Sequence, residues 1–238
     1  MKVLFIAPEV EGLPKLNTWD EIDQIGDMPG VTLDVLVGKN VTRSRVQTRL
    51  KQGRDVLLFA GHGEPGKFFV ADGCLTSHWL ARYISAANPK VVLLSSCNSA
   101  RHGRRTQTSL AEEINRAGFS VIAMPTAVDD DGAAIYDVEF VRAFSNGADL
   151  RGAHQIAQEQ METLTDSLQI PAFYPGTDVT VAHSESRMMD RFDDLGRQMS
   201  SMGHRMDRML SEQGEQAERI GGVEKKLIKL LNGGGMGA

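Results

Sequence analysis

Cysteine is scarce in this chain: Cys74 and Cys97 are its only two among 238 residues. That excludes a disulfide framework and a cysteine-built zinc site, and it fits a reducing, cytoplasmic setting. Cationic excess is missing too. The 26 Lys and Arg are outnumbered by 31 Asp and Glu, for a net charge of −5, which argues against nucleic-acid binding. No run approaches the roughly 18 apolar residues that a bilayer span requires. The amino terminus (MKVLFIAPEVEG) is too short for a secretory signal and reads instead as a first strand. No 34-residue period of a helical repeat array is present. His78, His102, His154, His183 and His204 share no metal-ligand spacing and read as solvated, so neither a metal nor a cofactor is expected.

What is present is an ordinary globular composition, 41% hydrophobic and 24% charged, enough to bury a core. Apolar runs of strand length alternate with helical spacing. Strands are expected at 2–7, 32–37, 55–61, 91–95 and 120–125, with a small strand and turn at 67–73 and an edge strand at 178–182. Helices are expected near 18–25, 41–52, 76–86, 109–116, 131–144 and 150–168. This alternation predicts an α/β fold, a mostly parallel sheet with helices on both faces.

Two strand ends carry reactive side chains. Residues 55–61 (DVLLFAG) run into His62 and Gly63, and residues 91–95 (VVLLS) run into Ser96 and Cys97. In open α/β sheets the crevice beyond the carboxyl ends of the strands is where ligands bind. A thiol with an imidazole to take its proton is a nucleophile–base pair. Taken singly, His62 reads as a capping residue and Cys97 as a small buried hydrophobe; together they read as a cysteine peptidase dyad. Cys74, after Gly73 in a turn, has no such context.

The last fifty residues differ. Met188, Phe192, Leu195, Met199, Met202, Met206, Met209, Gln213, Gln216, Ile220, Val223, Leu227 and Leu230 step by four and three, the seam of a coiled coil. Glycines at 196, 203, 214, 221 and 222 weaken such a helix by roughly 1 kcal/mol each, so it needs a partner. Self-association, docking to another protein and packing back on the sheet domain all fit. The acidic flanks oppose insertion into anionic lipid. The chain therefore divides into a domain at 1–182, an amphipathic helix at 183–232 and a Gly-rich tail at 233–238.

Several stretches together resemble the CHAT family of caspase-like proteins, in the clan of caspases and separases. They are LFIAP at 4–8, LFAGHG at 58–63, VLLSSCNSA at 92–100, Ser109-Leu110-Ala111, AGFSVIA at 117–123, DDDGAA at 129–134 and the spacing Ala153…Ala157. The resemblance implies a caspase-type sheet and a histidine–cysteine dyad, which fall here on His62 and Cys97. It implies a peptidase acting on protein or peptide substrates in bacterial defence or signalling systems, often latent until a partner or oligomerisation activates it. The tetratricopeptide array that usually recruits such domains is absent. That role passes to residues 185–232, as a docking segment or a homo-oligomer seam.

In the implied chemistry Cys97 attacks the scissile carbonyl, His62 manages the proton, and the backbone N–H groups of Gly63 and Cys97 face the oxyanion. No third, orienting residue is identified. In arginine- or lysine-specific relatives an acid two residues before the cysteine lines the first specificity pocket; here that position is Ser95. Asp129, Asp130 or Asp131 can supply charge after the fifth strand, or simply cap the next helix. The expected activity is that of a caspase-like cysteine endopeptidase. The contrasting reading is a catalytically silent scaffold whose C-terminal helix mediates assembly.

Overall fold

The computed structural model describes residues 1–101, 108–126, 129–165 and 171–176. In chain order the elements are β1 (Lys2–Pro8), α1 (Trp19–Gly26), β2 (Thr32–Gly38), α2 (Arg43–Arg49) and β3 (Val56–Gly61). Then come β4 (Gly63–Glu64), β5 (Lys67–Val70), β6 (Gly73–Thr76), α3 (Ser77–Ala87) and β7 (Val91–Ser96). Last are α4 (Leu110–Arg116), β8 (Ser120–Ala123), α5 (Asp130–Ser145), α6 (Leu150–Leu164) and β9 (Ala172–Tyr174).

Six of these strands form one sheet in the order β2-β1-β3-β7-β8-β9, parallel except for β9. The two central strands, β3 and β7, are buried along their whole length, as continuous Val/Leu/Phe runs covered on both faces must be. Side chains alternate between the faces. Leu57, Phe59, Val92 and Leu94 pack with α2, α3 and α4. Val56, Leu58, Val91 and Leu93 pack with α1, α5 and α6. The mostly parallel sheet between two helical layers is the expected architecture.

Local chemistry sets the helix starts. Thr42, Thr76, Ser109, Asp129 and Asp149 each accept the backbone N–H three residues on, the N-cap bond that satisfies an orphan donor. Asn88 closes α3 in a left-handed conformation, φ 49°, a C-terminal stop that asparagine tolerates.

Some expectations need correction. The helix read over 41–52 is shorter, because Thr42 caps it and Leu50 ends it. Cys74 lies in β6, paired opposite Phe69, not in a turn. The two-residue β4 makes a small antiparallel sheet with β5 and β6, too brief to leave a periodic signal. His154 is not solvated: half-buried, it sits 2.6 Å from the Tyr136 hydroxyl. Burial lowers its pKa and raises that of Tyr136, so the tyrosine O–H donates to a neutral ring. The described edge strand is β9, between Pro171 and Pro175, antiparallel to β8. The strand expected at 178–182, the helix of 183–232 and the tail lie outside the described residues. So do the end of the helix read over 150–168 and most of the basic loop after Arg101.

Candidate active site

Register brings the two strand ends together. β3 and β7 pair in parallel, with Ala60 opposite Ser95 and Gly61 opposite Ser96, so His62 and Cys97 leave adjacent central strands at the same level. The alternation that sends Leu58 and Leu93 toward α1 and α5 continues through Ala60 and Ser95 to His62 and Cys97. All four line one cavity of about 80 Å³.

The turn bearing Cys97 is held from beneath by Ser99. Its buried Oγ donates to the Leu94 carbonyl at 2.9 Å and accepts the Met124 N–H at 2.9 Å. Asn98 adopts a left-handed conformation, φ 58°, and donates its N–H to the Thr126 carbonyl. Ala100 donates to the Met124 carbonyl. Cys97 therefore rides on a turn fixed to β7 and to the chain leaving β8, and its thiol is free and partly exposed.

His62 is fixed by a group that sequence inspection left open. Its Nε2 lies 2.7 Å from the Pro14 carbonyl oxygen. A carbonyl can only accept, so Nε2 carries the proton and Nδ1 is the free lone pair of the neutral ring. The orienting group is thus backbone, from the β1–α1 connection, and no side-chain motif advertises it. Gly63 completes the close approach. A Cβ there would lie 3.0 Å from Ser96 Oγ and 3.2 Å from the Cys97 carbonyl, so glycine lets the two strand ends sit this close without a shift of their neighbours.

The remaining expected residues divide. Ser95 is buried and lines the cavity. Asp130 also lines it. Asp129 spends its carboxylate on the Gly132 N–H at 2.6 Å, capping α5, and lines only a neighbouring groove.

Two acids were missed: Asp137 on α5 and Glu21 on α1, which are 1% and 4% exposed. Both line the cavity with Ser95, His62 and Cys97. The three side chains lie close enough to act on one another, but Glu21 Oε1, Ser95 Oγ and both Asp137 carboxylate oxygens are buried without a well-formed hydrogen bond. Burial pushes Asp137 up to about 7, against a smaller opposing pull from Ser95 and Glu21. Burial, then the neighbouring charge of Asp137, raises Glu21 well above the carboxylate range. A signal did exist: Asp137 sits among Tyr136, Val138, Phe140 and Val141 on a helix that packs against the core, and Glu21 stands four residues before buried Ile25.

Known proteins were compared with the chain. No curated protein matches it. Among solved structures, the Geobacter sulfurreducens protein GSU0716 is 17% identical, with TM-score 0.46, covering 75% of this chain and 94% of its own. The Arg-specific cysteine proteinase gingipain R is 10% identical, with TM-score 0.47. That match covers 69% of this chain and 42% of the proteinase, so the chain spans less than half of it. The CHAT domain family model matches residues 17–184. With most of its length matched, the chain belongs to the CHAT domain family.

Proposed function

We propose that this chain is a cysteine endopeptidase using His62 and Cys97. The observation that carries the reading is their joint placement. The two residues stand side by side at the carboxyl ends of the central parallel strands, on one cavity, with the Pro14 carbonyl holding the Nε2–H of the base. That bond leaves Nδ1 to accept the Cys97 proton. The thiolate adds to the scissile carbonyl carbon, and the oxyanion is met by the N–H groups of Gly63 and Cys97. The C–N bond then breaks, the leaving amine takes the proton from His62, and a thioester remains. Water, deprotonated by the same imidazole, hydrolyses it to the acid and restores the thiol.

Residues 185–232 supply recruitment in this reading, as a docking helix for an activating partner or as a seam between copies. Activity is then latent until assembly, in a bacterial cytoplasmic defence or signalling system. Among the described residues no helix is long and apolar enough to cross a membrane.

The test is cleavage of a diverse peptide library by the full chain beside Cys97→Ala and His62→Ala, at low and high protein concentration. Cleavage lost in both variants supports the dyad, and cleavage confined to high concentration supports activation by assembly. Cleavage that survives Cys97→Ala refutes the peptidase reading. Silence of every sample, with a cysteine-reactive peptide probe labelling wild type and His62→Ala equally, favours the scaffold.

A further inference from the structure

Nothing in the dyad chemistry uses Glu21 or Asp137, yet they are the least comfortable residues in the domain. Burying one ionised carboxylate without a counter-charge is costly, and burying two side by side is more so. Folded proteins keep such groups hydrogen-bonded or paired. Here four buried oxygens, from Glu21, Ser95 and Asp137, have no well-formed hydrogen bond, and no cation is among the groups that act on either acid. They are not sealed in the core either, since all three residues line the cavity that holds His62 and Cys97.

Two buried carboxylates and a hydroxyl on one small cavity match an organic cation, which brings several N–H donors on a single group. By the measure in which one water needs about 10–15 Å³, the cavity of about 80 Å³ takes one extended side chain, not a flat peptide face. The cavity shares Glu21 and Asp130 with an open groove of about 720 Å³. Asp20, Glu21, Asp129, Asp130, Asp131 and Glu139 line that groove, and among the described residues no Lys or Arg does. Acid at the mouth and unpartnered acid at the floor are complementary to positive charge along the whole entry path.

We propose that this cavity is the first specificity pocket and that it takes the basic side chain, arginine or lysine, of the residue preceding the scissile bond. Asp137 and Glu21 receive the cation from α5 and α1, neighbouring helices on one face of the sheet, and Ser95 Oγ accepts a further N–H. A guanidinium fits two carboxylates and a hydroxyl with several donors in one plane. The charge expected two residues before the cysteine is thus delivered through space to the same place, with Ser95 leaving the room for it. This inference rests on the peptidase reading above for the word substrate; the cation pocket itself does not.

The experiment has two arms, both on the full-length chain. In the first, peptides differing only in the residue before the scissile bond (Arg, Lys, Leu, Ala, Asp) are offered to wild type, Asp137→Asn and Glu21→Gln. Cleavage after Arg and Lys is expected, with kcat/KM at least about 100-fold above Leu. Each variant should lower that ratio at least tenfold, with circular dichroism confirming the fold. In the second arm, benzamidine is titrated by calorimetry into Cys97→Ala and into Cys97→Ala combined with Asp137→Asn. Binding is expected in the first and its loss in the second.

Failures are separable. Cys97-dependent cleavage after Leu, Ala or Asp, with a ratio that Asp137→Asn leaves unmoved, overturns the pocket and spares the peptidase. Absence of cleavage with Asp137-dependent benzamidine binding upholds the pocket and counts against the peptidase. Absence of both overturns the pocket.

Discussion

Removing the Asp137 carboxyl should stabilise the protein, and the gain should grow with pH. Free aspartate titrates near 3.9, whereas burial holds Asp137 near 7. The gap of about three units, at roughly 1.4 kcal/mol each, is worth ~4 kcal/mol. Between pH 4 and 7 the folded state keeps a proton that the unfolded chain has released, so wild type loses stability as pH rises through that window. Below pH 4 both states are protonated and the contribution vanishes. Asparagine cannot ionise, so Asp137→Asn escapes the loss. Its advantage over wild type should widen from pH 4 to 8, by up to ~4 kcal/mol. Glu21 faces the same site, and Asp130, His62 and Cys97 line the same cavity. Taking the difference between the two proteins leaves only the part of their titration that is coupled to Asp137. The assay is urea unfolding of both proteins at pH 4, 5, 6, 7 and 8. A difference constant within about 0.5 kcal/mol across that range refutes the burial argument.

Other outcomes follow from single contacts. Ser99→Ala strips partners from the Met124 N–H and the Leu94 carbonyl and should cost about 1–3 kcal/mol in urea unfolding; an unchanged midpoint would show that water enters beneath the Cys97 turn. In Gly63→Ala the new Cβ meets Ser96 Oγ at 3.0 Å and the Lys67 carbonyl at 3.1 Å, so the neighbours must give by a few tenths of an ångström at the strand ends. Peptide cleavage should fall at least about tenfold, and full activity would remove Gly63 from the oxyanion site. Gly61→Ala places a Cβ 2.9 Å from the Phe68 ring, and such overpacking should cost about 1–3 kcal/mol in thermal unfolding. Benzamidine should bind more tightly at pH 8 than at pH 5, because the cation competes with the proton that burial holds on Asp137 up to about pH 7; an affinity flat over that range would place it elsewhere.

The strands were legible because burial on both faces writes itself as unbroken apolar runs: VLLFAG and VVLL could hardly be anything but central strands. The caps at Thr76 and Ser109 were legible for a local reason, a hydroxyl immediately before a helical stretch. What the sequence hid was whatever depends on parts distant in the chain meeting in space. The Pro14 carbonyl is backbone and has no residue signature. Asp137 meets Glu21 across 116 positions, and the apolar neighbours that mark each as buried do not reveal that the two face each other. The Asp129–Asp131 run is conspicuous in the sequence, yet the first of those acids is a helix cap. The burial of His154 is hidden for a like reason: its partner Tyr136 lies on another helix, 18 positions away.

The dyad sits on strands and the acids sit on helices. The sheet ties Gly61 and Ser96, the residues just before His62 and Cys97, into a hydrogen-bonded ladder whose register cannot slip by one residue without turning every side chain over. Helices α1 and α5 are held only by side-chain packing, which tolerates substitution and small shifts. If the proposed peptidase and its pocket hold, reaction type is the rigid part of this architecture and preference the adjustable one. Changing two helix positions, 21 and 137, would then alter which residue is recognised and leave His62 and Cys97 in place.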